Sequence, residues 1–174
     1  MLKIGLTGGI GTGKTYISRH FIEMGIPVFY ADEETKKLYR EPEIQLLLRS
    51  HFGDAIFTDN QLDFRKMGKL FFSSPEALQQ ANALIHPLVT ERFNCWASKQ
   101  QNKAVMMESA IIFEAGLASF FDKIFVVDAP LEVRIRRIQT RNPEWSKADI
   151  LKRINAQMNQ EEKCRLAHLV IWNE

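Results

Sequence analysis

Short apolar runs along the chain alternate with stretches whose apolar positions fall three and four residues apart. The runs read as strands buried on both faces, and the three-and-four spacing reads as helix. Five runs qualify as strands: Leu2 to Leu6, Pro27 to Ala31, Ala104 to Met107, Lys123 to Val127, and His168 to Trp172. Strands separated by helical patterns predict an α/β fold with a parallel sheet. Between the first two strands, Ile17, Phe21 and Met24 share a helix face, and Gly25 ends that helix.

Residues 32 to 103, between the second and third strands, far exceed the needs of one crossover helix. There Phe64, Met67 and Phe71, then Leu78, Ile85, Leu88 and Phe93, predict several helices. Ser74-Pro75 is a helix start, and Pro87 predicts a kink or restart. This helical insertion is read as the holder of the acceptor substrate, against the plainer reading of packing alone. After the fourth strand, Pro130 opens a helix that Asn142-Pro143 breaks, and Ser146 with Asp149 forms a capping box for the next. No repeat, low-complexity tract or linker divides the 174 residues, so one domain, 1–174, is expected.

Composition narrows the function. Hydrophobic residues make up 45% and charged residues 25%, the balance of a globular protein. A net charge of +2 gives no footprint for nucleic acid. No stretch approaches the length of a membrane span, and Gly8, Gly9 and Gly11 interrupt the apolar start, so no secretory leader is expected. Cys95 and Cys164 lack metal-ligand spacing, and His20, His51, His86 and His168 make no zinc motif. Reduced thiols and a cytoplasmic location are expected. Charge is uneven, however: Arg134, Arg136, Arg137, Arg141, Lys147, Lys152 and Arg153 crowd one segment. That segment reads either as a solvated helix face or as a basic flap over phosphates.

The phosphate chemistry comes from Gly8-Gly9-Ile10-Gly11-Thr12-Gly13-Lys14-Thr15, which fits G-x-x-x-x-G-K-[ST]. Glycines let the backbone curl until several N–H groups face one anion, and the following helix adds its positive end. Lys14 reaches the β- and γ-phosphates, and the Thr15 hydroxyl ligates Mg²⁺. The expected ATP-binding set is Gly9, Gly11, Thr12, Gly13, Lys14, Thr15 and Tyr16. Asp32 follows the second strand, where ligands of open α/β sheets gather. It reads equally as an acceptor base or Mg²⁺ ligand and as a helix N-cap. Glu108 ends the third strand, where a carboxylate positions substrate or reaches Mg²⁺ through water. Glu114, six residues on, reads as a helix-start or packing residue. Arg137 and Arg141 lie four apart on one helix face and are candidates to neutralise the transferring group.

These segments resemble the dephospho-CoA kinase family. Leu6 to Thr15 is similar to the family's opening L-T-G-G-I-G-S-G-K-S, and Tyr30-Ala31-Asp32 to its D-A-D, with tyrosine for the first aspartate. Leu62-Asp63-Phe64-Arg65 resembles its L-D-R segment with one extra residue. Asn82 to Val89 resembles its N-x-I-x-H-P-x-V segment. Glu108 to Glu114 sits where the family has D-x-P-L-L-F-E, with Glu108 for aspartate and Ala110 for proline. Val126-Val127-Asp128 resembles the family's fourth strand. Arg137 and Arg141 match its R-x-x-x-R lid, and Gln157-Met158 to Glu161-Glu162-Lys163 its Q-M-x-x-E-E-K stretch. The family pattern continues past the last strand with an N-x-G turn and a helix, whereas this sequence ends at Trp172-Asn173-Glu174.

The resemblance implies transfer of phosphate from Mg-ATP to the ribose 3′-hydroxyl of dephospho-CoA. It also implies a three-layer P-loop fold of five parallel strands, with a helical CoA-binding region over 33–100 and a lid over 134–160. Lys14, Arg137 and Arg141 would be catalytic, with Asp32 as base, and Asp32, Arg65, His86 and Glu108 would meet the substrate. Metal would rest on Thr15 with Glu108 or Asp32. A nucleoside or nucleotide kinase uses the same loop and lid but leaves His86-Pro87 and the insertion unexplained. A nucleotide-dependent switch or binding module needs a switch segment, and none is evident.

Overall fold

The computed structural model describes residues 1–174. Its main sheet contains β1 (Leu2–Thr7), β2 (Val28–Tyr30), β5 (Ala104–Glu108), β6 (Lys123–Asp128) and β7 (Leu169–Trp172). All pairings are parallel, in the order β2-β5-β1-β6-β7. The five predicted strands are these five, each within a residue or two of its expected bounds. β1 is central because it alternates two buried faces. Ile4 and Leu6 pack with Met106 and Val127 on one face, under Ile17 and Phe21 of α1 (Lys14–Glu23). Gly5 points to the other face, where a Cβ would come within 2.8 Å of Ile112 Cδ1. Met24 falls outside the predicted helix face: it caps α1 and is exposed.

The chain forms two compact units, Met1–Tyr30 with Trp96–Glu174, and Ala31–Cys95. Besides the sheet, the first unit holds α1 and three later helices. These are α6 (Leu131–Arg141), α7 (Lys147–Asn155) and α8 (Gln160–Leu166). Pro130 and Asn142 bracket α6, and the Ser146–Asp149 capping box starts α7, both as the sequence predicts. Ile135, Ile138 and Ile150 seal α6 against α7.

The second unit contains α2 (Ala31–Leu38), α3 (Pro42–Phe52), α4 (Phe64–Ser73) and most of α5 (Pro75–Ala97). A hairpin of β3 (Phe57–Thr58) and β4 (Gln61–Leu62) precedes α4. Its turn residues, Asp59 and Asn60, both have positive φ, the conformation a two-residue hairpin demands. Asp63 caps α4 by accepting from the Arg65 and Lys66 N–H groups. Of the kink or restart expected at Pro87, the restart does not occur: α5 is one helix through it. In the turn after Pro87, the Thr90 hydroxyl donates to the carbonyls of His86 and Pro87.

Candidate functional site

The loop between β1 and α1 lies at the carboxyl end of the central strand, flanked by the ends of β5 and β6. Gly8, Gly11 and Gly13 take φ values of 146°, 84° and 90°, which side chains resist. Close neighbours add a second demand for glycine. A Cβ on Gly8 would sit 2.4 Å from the Val127 carbonyl oxygen, and one on Gly9 2.5 Å from an Arg134 nitrogen.

The loop's backbone divides its N–H groups between protein and open space. The Gly9 N–H donates to Gln160 Oε1 and the Ile10 N–H to Gln157 Oε1, each at 2.8 Å. Ile10 also packs on the α6–α7 core, and its carbonyl accepts from Arg134 Nε at 3.0 Å. By contrast, the N–H groups of Gly11, Gly13 and Thr15 make no hydrogen bond within the protein. They line the start of α1, whose first N–H groups carry the positive end of the helix dipole. Such an arrangement takes an anion. Lys14 stands at the same place, with Nζ donating to the Gly8 carbonyl at 2.9 Å and near that of Gly9 at 3.4 Å. Tyr16 is exposed, its ring edge-on to His20.

Glu108, buried at the end of β5, is in register with Leu6 on one side and Tyr30 on the other. The buried Ser18 hydroxyl lies 3.5 Å from its carboxylate, 3.1 Å from the Tyr30 hydroxyl and 3.0 Å from the Thr15 carbonyl. Tyr30, at the place of an acid in the resemblance, therefore supplies a hydroxyl to the surroundings of Glu108. Thr15 and Glu108 form no group of three acids and histidines such as an all-protein metal cage would need.

Of the two arginines proposed for the lid, Arg137 is half-buried and reaches the loop. Its Nη1 lies 3.1 Å from the Asn173 carbonyl oxygen and 3.4 Å from that of Thr12. Arg141, in the last turn of α6, is exposed. The remainder of the basic segment has other duties: Arg153 lies over the Trp145 ring at 3.9 Å, and Arg136 and Lys147 are exposed.

Sequence reasoning did not single out four loop-binding residues: Arg134, Gln157, Gln160 and Asn173. Asn173 Nδ2 donates to the Thr12 carbonyl at 2.8 Å, and its own N–H bonds Asp128. The buried Arg134 has its affinity for a proton lowered by desolvation, which Asp128 partly offsets. A signal existed for Gln157, the first residue of the Q-M-x-x-E-E-K likeness, whereas Gln160 falls on one of its unspecified positions. That stretch has a structural reason. The fully buried Lys163 Nζ pairs with Glu114 Oε1 at 2.6 Å and donates to the Ala110 carbonyl at 2.7 Å. Glu114 also accepts the Met158 N–H at 3.1 Å. Cys164, beside Asp128, has its thiol pushed up to about 11, by burial first and by that carboxylate second, which makes it unreactive at neutral pH.

Asp32, Arg65 and His86 lie in the helical unit. Asp32 is exposed in the first turn of α2, and Arg65 is exposed in the first turn of α4. His86 is half-buried in α5, where desolvation holds its imidazole below the ordinary value of 6.5. No helix is long and apolar enough to cross a membrane.

Known proteins share this architecture. A dephospho-CoA kinase of Bacteroides fragilis is 40% identical over 175 residues, covering 99% of this chain and 85% of its own. The crystal structure of TT1252 from Thermus thermophilus superposes with a TM-score of 0.89 at 32% identity, covering 99% of this chain and 88% of that one. A dephospho-CoA kinase from Campylobacter jejuni shares the fold, with a TM-score of 0.68 at 23% identity over 98% and 87% of the two chains. Residues 2–174 match the family described as dephospho-CoA kinase. With likeness over nearly its whole length and the phosphate loop intact, the chain belongs to the dephospho-CoA kinase family.

Proposed function

We propose that this protein transfers the γ-phosphoryl group of ATP to the ribose 3′-hydroxyl of dephospho-CoA, forming CoA and ADP. The observation that carries this reading is the divided loop. The N–H groups of Gly11, Gly13 and Thr15 are open beside Lys14, while those of Gly9 and Ile10 are bound from behind. The full-length likeness to dephospho-CoA kinases supports the choice of acceptor. ATP as donor fits a cytoplasmic enzyme.

The phosphates of ATP take the open N–H groups, and Lys14 trades two neutral carbonyl oxygens for charged phosphate oxygens, a stronger bond. Arg137, already beside Thr12, adds positive charge as the phosphoryl group moves, and Arg141 is the second candidate. The acceptor oxygen bonds the γ-phosphorus while the bridging P–O bond breaks and ADP leaves with the electron pair. The hydroxyl proton goes to Asp32. Thr15 and Glu108 are hard oxygen donors that suit a Mg²⁺ ion arriving with the nucleotide, since this ion keeps several waters and needs few protein ligands. When bound, it would neutralise phosphate charge. Residues 33–100 hold the acceptor, with Arg65 and His86 as contacts, and residues 134–160 act as the lid.

The test is product analysis with Mg-ATP and either dephospho-CoA, AMP or a deoxynucleoside. A product carrying a new 3′-phosphate on CoA is expected. Asp32→Asn should keep ATP binding and lose roughly 10²–10⁴-fold in turnover, the usual worth of a general base. Preference for AMP or a 5′-hydroxyl would move the protein to the nucleotide kinases, and acceptor-independent ADP release would make it a switch.

A further inference from the structure

The rear of the phosphate loop is held by two amides that arrive from the far end of the chain. Gln160 is bidentate: its Oε1 accepts from the Gly9 N–H at 2.8 Å, and its Nε2 donates to the Val127 carbonyl at 3.0 Å. It therefore spans the loop and the end of β6. Gln157, three residues earlier in the connection between α7 and α8, accepts from the Ile10 N–H. Both side chains line a cleft of about 510 Å³ bordered by Leu131, Arg134, Leu151 and Ile154. Open space on one side means that hydrogen bonds, rather than close packing, fix these amides. The peptide carrying them is itself anchored, through the Met158 N–H and Lys163, to Glu114 in the segment after β5.

We infer that Gln157 and Gln160 are positioning residues for phosphoryl transfer, a role that rests on the kinase reading. They act through the loop. By occupying the Gly9 and Ile10 N–H groups on the outer side, they orient the peptide planes so that the following N–H groups, from Gly11 onward, face the anion. Neither amide needs to touch the nucleotide. Without them, two N–H groups at the loop's base lose their acceptors. The loop then has several arrangements of similar energy where it had one, and each nucleotide that binds must restore the ordered form. The cost falls on ATP and on the transition state, and the acceptor site is left as it was.

Gln157→Met and Gln160→Met keep side-chain length and remove the acceptor oxygen. Amide hydrogen exchange on the nucleotide-free protein should rise at Ile10 in the first variant and at Gly9 in the second, with Leu6 and Val126 in the sheet still protected. Titration with ADP should show binding weakened about tenfold, the order expected for one lost hydrogen bond to a loop amide. With dephospho-CoA, kcat should fall and KM for ATP should rise, while KM for dephospho-CoA stays at the wild-type value. A role confined to stability would lower the folded fraction and leave both KM values alone, and that result overturns the inference. So does unchanged exchange at Gly9 and Ile10. If Gln160→Met does not fold, Gln157→Met, which loses a single bond, decides the matter. A wild-type protein that fails to turn over dephospho-CoA overturns the kinase reading alone, because exchange and ADP titration still test the clamp.

Discussion

The sheet unit and the helical unit are built on opposite plans. In the sheet unit the phosphate loop is held by residues remote in sequence: Gln157 binds Ile10 across 147 positions, and Asn173 binds Thr12 across 161. The helical unit is stitched by near neighbours. Asp63 caps its own helix, Thr58 bonds Asp63, and Glu34 of α2 and Glu41 at the start of α3 meet Arg92 of α5 in one of its few long reaches. Its surface leaves Leu46 and Phe72 well exposed. Long-range pinning ties the phosphate loop to several distant elements at once, whereas local stitching ties the helical unit mostly to its own neighbours.

The sharpest break in this contrast is expected at Lys14. Lys14→Ala should lower kcat by roughly 10²–10³-fold, the range for losing one preorganised donor to transition-state charge. The thermal midpoint should stay near wild type, since Lys14 is half-buried at the end of the loop and contributes little to the apolar core. Turnover within a few-fold of wild type would remove the loop from the chemistry.

A second substitution tests whether remote pinning also supports the sheet unit's stability. Glu114→Ala leaves the Lys163 ammonium fully buried without its carboxylate. Stranding one member of a buried pair costs about 3 kcal/mol, at the lower end of the usual range because Glu114 itself is partly exposed. For a chain of this size that is a drop of roughly 6–12 °C in Tm. A change of a degree or two by calorimetry would mean that the pair is dispensable.

The smallest effect belongs to the helical unit. His86 has its imidazole held below the ordinary value by burial, so the folded state resists a proton that the unfolded chain accepts. Its contribution is therefore present above the unfolded value of 6.5 and is lost as pH falls through the lower folded value. His86→Gln should lessen the fall in Tm between about pH 8 and pH 5, and parallel curves for the two proteins would show that His86 is not the group responsible.

The sheet strands were legible because each is an apolar run closed by a turn residue, and the loop because no other chemistry requires those glycines before Lys14-Thr15. The helical unit was read less fully. The β3–β4 hairpin has two residues per strand, too few for any alternation to register. Pro87 implied a kink or a restart; α5 does not restart, and Ile85, Val89 and Phe93 around Pro87 are buried. Among the site residues, Arg137 and Arg141 were equal in the sequence because a four-residue spacing says only that they share a face. Their difference in burial comes from the end of β7, where Asn173 meets Arg137. Arg134 was hidden in a basic cluster whose members differ only in which way the helix turns them.

The central strand has a consequence for the chain as it is made. β1 precedes both of its sheet partners, β5 and β6, by about a hundred residues or more. At ordinary rates of ribosomal elongation, Ile10 waits roughly 7–30 s for Gln157 to appear. Until β5 and β6 are made, Ile4 and Leu6 belong to an unpaired apolar strand, the kind of segment that chaperones shield and that aggregates when they do not. The nascent chain thus carries its phosphate loop well before the residues that hold the loop's shape, Gln157 and Asn173, are made.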